Sequence, residues 1–190
     1  KLREAGMGAS EPLIMTSDGG TIPCATAAKY PVRLIESGPA GGAMAAAFLG
    51  GLSNHSDLIA FDMGGTTAKI CVIEDGTPSR VGSFEVGHVY RFARGSGLPI
   101  RAPVLEMIEI GAGGGSVAQV SELGLLKVGP ESSGAQPGPA CYGHGGSAAT
   151  VTDADLYLGY LDRDFFLGGA MVLDRSRAEA AIANDVAEPL

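Results

Sequence analysis

Apolar residues in this chain fall into short runs separated by glycine clusters, a pattern that predicts strands joined by glycine-rich turns with a few helices between them. Leu13-Ile14-Met15-Thr16 reads as a strand ending in the turn Ser17-Asp18-Gly19-Gly20-Thr21, which either faces a ligand cleft or, the favoured reading, is a connection. Val32 to Glu36 reads as a short extended piece. Residues 37–51 carry helix signals: Ser37 or Gly38 as cap, Pro39 in the first turn, glycines after Leu49. Gly41, Gly42, Ala45 and Ala46 would let that helix lie close to a sheet, and its N-terminus offers N–H donors to an anion.

The run from Asp57 to Gly76 is the most informative. Leu58 and Ala60 on one alternate set, and Ile59, Phe61 and Met63 on the other, make a strand covered on both faces, so it is expected in the middle of a sheet. A sharp turn leads to a second arm in which Ala68, Ile70 and Val72 share one face and Thr67, Lys69 and Cys71 the other. Further on, residues 82–92 alternate as a strand. Residues 103–110 form another that runs into Gly111-Ala112-Gly113-Gly114-Gly115, where close approach to the backbone is expected. Residues 128–147 read as a long surface loop, 150–161 as a short helix capped by Thr152 or Asp153, and 176–184 as an amphipathic surface helix. The class is α/β.

Chemistry concentrates where the covered strand ends. Asp62 is followed by Gly64, Gly65, Thr66 and Thr67, which brings a carboxylate, two unobstructed amides and two hydroxyls to one tip. A phosphate needs several N–H donors in one concavity, and residues without a Cβ let the main chain come that close. Mg²⁺ keeps most of its waters and is held through one or two carboxylates plus the phosphates themselves, a role open to Asp62. Lys69, on the loop side of the second arm, would balance phosphate charge. The competing reading is a tight hairpin whose glycines serve turn geometry and whose acid caps it.

With 190 residues, 45% hydrophobic and 18% charged, the chain can bury a core. A net charge of −8, with no run of Lys and Arg, makes nucleic acid and anionic membrane poor partners. Thirty glycines without a fixed period speak for loops and not for repeats. Cys24, Cys71 and Cys141 are far apart, as expected of reduced thiols in a cytoplasmic protein, and the longest small-apolar run, 38–52, is too short to span a membrane. The opening Lys1-Leu2-Arg3-Glu4 is expected to lie inside a longer protein. His88 reads as a structural or surface residue, and Arg91, Arg94 and Arg101 as anion steering or a solvated edge. Glu109 is a candidate for a cation or ribose, Cys141 with His144 for half a metal site, and Asp153 for a metal or nucleotide contact.

Five segments together carry a resemblance: S-G-P-A-G-G at 37–42, F-D-M-G-G-T-T-A-K at 61–69, G-A-G-G-G-S-V-A at 111–118, G-A-Q-P-G-P-A-C-Y-G-H-G-G at 134–146 and T-V-T-D-A-D-L-Y-L-G at 150–159. In this order they resemble the hydantoinase A, 5-oxoprolinase and acetone carboxylase family. The resemblance implies a partial ATPase superfold of the actin, sugar-kinase and heat-shock type, with 1–36 as the end of a preceding segment, 37–175 as a partial ATP-binding domain and 176–190 as a C-terminal helix. It implies ATP and Mg²⁺ as cofactors, Asp62 and Lys69 as catalytic groups, and Asp62 as the metal ligand. Gly64, Gly65, Thr66, Thr67, Gly111, Gly113, Gly114 and Gly115 are the implied nucleotide contacts. The implied reaction activates a carbonyl by phosphorylation, opening a cyclic amide or preparing a ketone for carboxylation, with a hydantoinase B-type subunit or domain as partner. A nucleotide-binding or subunit-docking module without chemistry of its own is the rival. Family members carry an earlier phosphate-binding hairpin that nothing in this chain matches, so 190 residues alone are expected not to turn over ATP. Ile108 stands where lactam-hydrolysing members tend to have His, which leans toward the carboxylases.

Overall fold

The computed structural model describes residues 6, 11–86, 95 and 97–190. The chain folds as two compact units, Lys1–Asp62 with Lys69–Ile108, and Met63–Ala68 with Glu109–Leu190.

In the first unit, β1 (Leu13–Met15) pairs antiparallel with β2 (Thr21–Pro23). Thr16 N–H closes the turn on Gly20 O at 2.9 Å. Helix α1 (Cys24–Lys29) follows. The expected extended piece at 32–36 is instead a 3-10 turn, Pro31–Leu34. Proline presets φ for a helical turn, and Arg33 N–H closes it on Tyr30 O at 3.1 Å. Helix α2 (Ser37–Leu52) buries Ala40, Ala43 and Ala47, and its N-cap is Glu36 instead of Ser37 or Gly38. Ala40 and Ala43 form a core with Cys71 and Leu105, against which Met44, Ala60 and Met107 pack. The packing residues are not the expected ones: Gly42 and Ala45 are exposed and Gly41 and Ala46 half-buried, and the close contact is made by Ala40 and Ala43 on the neighbouring face of the helix.

The central hairpin forms as expected, from β3 (Leu58–Met63) and β4 (Ala68–Glu74). Its expected position does not hold: β3 lies at the end of its sheet beside β4, and Ile59 and Phe61 are 68% and 57% exposed. Periodicity reports which residues seek cover, not whether the neighbours that would cover them are among those described. Strand β5 (Thr77–Pro78) pairs with β4, β6 (Arg80–Val81) with β9 (Val104–Leu105), and β7 (Phe84–Val86) with β8 (Leu98–Ile100). The remainder of the strand expected over 82–92, with His88 and Arg91, and Arg94 beyond it, lies outside the described residues. The single strand expected over 103–110 is broken after Leu105, where Glu106 N–H turns to Ser79 O at 2.8 Å. Strand β10 (Ile108–Ile110) carries the chain from the first unit into the second.

In the second unit β11 (Ser116–Val120) and β12 (Leu126–Ser132) form a hairpin closed at Gly124, whose φ is +70°. The front of the expected 128–147 loop is thus strand. Its middle is not surface either: Gly138, Pro139, Ala140 and Cys141 are buried, the last two within a 3-10 turn. Helix α3 (Val151–Leu158) is capped by Thr150, two or three residues earlier than expected, in a reciprocal box with Asp153. Helix α4 (Arg175–Ile182) is capped by Asp174. Leu156, Leu173, Ala178 and Cys141 make one core cluster here, and Ala140, Ala149 and Ala181 another. The fold is mixed α/β. Among the described residues no helix is long and apolar enough to cross a membrane.

Candidate functional site

The turn between β3 and β4 belongs, from Met63 to Ala68, to the second unit. Gly64, Gly65 and Thr66 are exposed. Gly64 N–H closes the turn on Thr67 O at 2.9 Å. Neither the N–H of Gly65 or Thr66 nor either threonine hydroxyl donates to another described residue. A Cβ added at Gly65 would meet no atom within 4 Å, so this glycine answers no packing demand inside the fold. Two bare amides, two hydroxyls and open space suit an oxyanion with several lone pairs to fill.

Three glycines brace that turn. Gly114 N–H donates to Gly64 O at 2.9 Å and Gly115 N–H to Gly65 O at 2.7 Å, while Gly113 N–H is taken by Ser116 Oγ at 2.8 Å. A Cβ at Gly113 would stand 2.6 Å from both Gly64 O and Thr66 N. The close approach expected at 111–115 therefore exists, and what approaches is the other glycine turn. The amides of Gly113, Gly114 and Gly115 are committed inside the protein and do not point at a ligand. Residues that the sequence did not flag for this role hold the brace from behind. Thr152 donates both its N–H and its hydroxyl to Gly114 O at 2.8 Å, and Ser133 donates its N–H to Gly115 O at 2.8 Å. The signal available was position: a serine ending G-G-G-S and the threonine of T-V-T-D.

In the first unit, Asp62 and Lys69 both line a cavity of about 420 Å³ walled by Gly38, Pro39, Gly42 and Ala46 of α2 and by Phe61 and Cys71 of the hairpin. Asp62 is exposed. Lys69 Nζ is 2.6 Å from Glu36 Oε2, and the two side chains are 16% and 21% exposed. Lys69 and Cys71 share the face that their spacing predicts, and it looks onto the first turns of α2. Burial raises the Cys71 thiol above its ordinary pKa, and Glu106 adds to the rise, so Cys71 is an inert wall here.

The Cys141–His144 and Asp153 candidates fall away. Among the described residues no group of three His, Cys, Asp or Glu can hold a metal. Cys141 is fully buried, its thiol pushed well up first by burial and then by the hydrogen bond and charge of Asp153, while His144 is exposed. Asp153 is a structural knot rather than a ligand contact. Fully buried, it accepts from Cys141 N–H at 2.8 Å, Ala140 N–H at 3.3 Å, Thr150 N–H at 3.0 Å and the Thr150 hydroxyl at 2.7 Å. Glu109 and Arg101 are exposed.

The sequence model of the hydantoinase/oxoprolinase family matches residues 1–190. The alpha subunit of caprolactamase from Pseudomonas jessenii is 38% identical over 97% of this chain and 25% of its own length. The crystal structure of the ATP-dependent caprolactamase from that organism superposes with a TM-score of 0.67 at 36% identity, covering 100% of this chain and 26% of the other. A nucleotide-free acetone carboxylase structure, described for ATP-dependent acetone carboxylation, gives 0.70 at 33% identity over 94% of this chain and 24% of the other. The chain spans about a quarter of the length of the first curated relatives it matches, and 11–13% of the 5-oxoprolinases from Arabidopsis thaliana, Saccharomyces cerevisiae and Dictyostelium discoideum. Together with the order of the glycine turns, these matches give one conclusion: the chain belongs to the hydantoinase/oxoprolinase family.

Proposed function

We propose that this chain is a segment of an ATP-dependent enzyme that activates the carbonyl of a cyclic amide by phosphorylation, on a partial fold of the actin-like ATPase type. The observation that carries the reading is the turn of exposed Gly64, Gly65 and Thr66 with half-buried Thr67, whose amides at 65 and 66 and whose two hydroxyls donate to no described residue. That donor set fits phosphate oxygens. Asp62, a single exposed carboxylate, fits Mg²⁺, which takes few protein ligands and keeps its waters. When bound, Mg·ATP supplies the phosphoryl group that turns a carbonyl oxygen into a leaving group. Phosphoryl transfer asks chiefly for positioning and charge neutralisation. The 64–67 turn orients phosphate, Lys69 offsets its charge, and Gly113 to Gly115 hold the turn in shape. A second subunit or domain completes the enzyme, in keeping with the subunit make-up of the caprolactamase relative.

A ketone carboxylase is the second reading, supported by the acetone carboxylase likeness and by Ile108 before the glycine turn. The full-length protein with its partner subunit decides between them. ATP hydrolysis stimulated by hydantoin, 5-oxoproline or caprolactam supports the first; stimulation by acetone or acetophenone with bicarbonate supports the second. No stimulation by any of them sinks both and leaves a binding module. Asp62→Asn with unchanged Mg·ATP turnover removes Asp62 from the metal site.

A further inference from the structure

Lys69 is held by a residue that does not itself reach the cavity. Glu36 is absent from the cavity wall, yet its carboxylate meets the Lys69 ammonium at 2.6 Å. As N-cap of α2, Glu36 makes no side-chain capping bond, so its carboxylate is given to Lys69 and not to the helix. Its main chain is fixed in turn. Glu36 N–H donates to Ser17 Oγ at 3.0 Å, and Ser17 is fully buried. The Ser17 hydroxyl and N–H both donate to Arg33 O at 2.8 Å. Arg33 lies 3.7 Å from Asp18, whose carboxylate also takes the Thr16 hydroxyl. The turn after β1, which reads from sequence as a mere connection, thus anchors the residue that aims Lys69.

A freely exposed ion pair contributes little, because two long side chains must be ordered against water and salt. A lysine that is mostly covered is a different case, since its ammonium needs a partner and the partner then decides where it points. We infer that Glu36 is a positioning residue: it holds the Lys69 ammonium at the cavity wall, and Ser17 fixes Glu36 for the task. The inference rests on the reading of Lys69 given under Proposed function.

The full-length protein tests it with two readouts. In nucleotide-free protein, acetylation of Lys69 by acetic anhydride, followed by mass spectrometry, is expected to run on the order of fivefold faster in Glu36→Gln, because the amine is released from its charge-assisted bond. In Mg·ATP hydrolysis the same variant is expected to lose about tenfold in kcat with KM within about threefold, the split of an interaction realised in the transition state. Combined with Lys69→Met it should add nothing to the loss from Lys69→Met alone. Glu36→Asp should recover part of the protection from acetylation. Wild-type acetylation and kcat in Glu36→Gln, with kcat lowered in Lys69→Met, overturns the inference and leaves the reading of Lys69 standing. Wild-type kcat in Lys69→Met overturns both. Should Glu36→Gln fail to fold, Ser17→Ala leaves both charges in place; acetylation faster than wild type supports the positioning, and wild-type values in both assays overturn it.

Discussion

Replacing Gly113 with Ala puts a methyl group where two backbone segments already touch. The new Cβ would stand 2.6 Å from Gly64 O, 2.6 Å from Thr66 N and 2.7 Å from Thr66 C, all main-chain atoms that cannot swing aside as a side-chain tip can. Overpacking of this kind costs typically about 1–3 kcal/mol. Relief requires the two turns to part, which weakens the bonds from Gly114 N–H to Gly64 O and from Gly115 N–H to Gly65 O. Each contributes about 1 kcal/mol net. The sum is roughly 3–5 kcal/mol, against a total stability of about 5–15 kcal/mol for a domain. Gly65→Ala is the matched control, because its Cβ meets nothing within 4 Å and its φ is not positive. Its expected change is within about 0.5 kcal/mol, with weakened Mg·ATP binding as the effect on function. Urea unfolding of the two variants, with calorimetric titration of Mg·ATP into the full-length Gly65→Ala protein, separates the roles. Equal stability of Gly113→Ala and wild type would refute the bracing argument, and unchanged nucleotide affinity in Gly65→Ala would refute the assignment of that turn to phosphate.

Asp153→Ala strips four hydrogen bonds from a fully buried knot and leaves the Ala140 and Cys141 amides without their acceptor, so a loss of roughly 3–5 kcal/mol is expected in denaturant titration. A loss below about 1 kcal/mol would mean the knot is not what holds the 138–141 stretch inside. Thiol labelling should find the half-buried Cys24 in native protein and reach Cys71 and Cys141 only on unfolding, since both are buried and burial raises both thiols; native labelling of Cys141 contradicts the packing. The Thr16 hydroxyl, with the Gly20 amide and Arg33 adding to its effect, holds the Asp18 carboxyl below its ordinary value. The folded form therefore prefers the charged carboxylate. Its contribution is full above the unfolded pKa of about 4 and is lost as pH falls through the lowered folded value. Asp18→Asn should be less stable than wild type near pH 6 and converge with it in acid, and a constant gap across that range would exclude the charge as the cause.

What could be read from the sequence and what could not divide along a physical line. The glycine turns at 64–65 and 113–115, the hairpin around the first of them, and the helices α2 and α3 were all legible, because turn and helix-end chemistry act locally. The sequence also predicts that something closes on the 113–115 backbone, but not what: a backbone contact between turns nearly fifty residues apart leaves the same glycines as a ligand would. Burial was the least legible property. Pro139 to Cys141 look like loop residues, and they are buried because Asp153, thirteen residues downstream of Ala140, supplies the acceptor that the Ala140 and Cys141 amides need inside a core. The T-x-x-D spacing of Thr150 and Asp153 held the clue, yet a capping box announces a helix start, not a second task for the same carboxylate. Glu36 was hidden for a similar reason. It reads as the polar end of an extended piece, and only the 3-10 turn at Pro31–Leu34 brings it to the head of α2, within 2.6 Å of a lysine that follows it by thirty-three residues. Motif spacing locates groups that act through the main chain beside them; a group that acts through a distant side chain is visible only once the chain is folded.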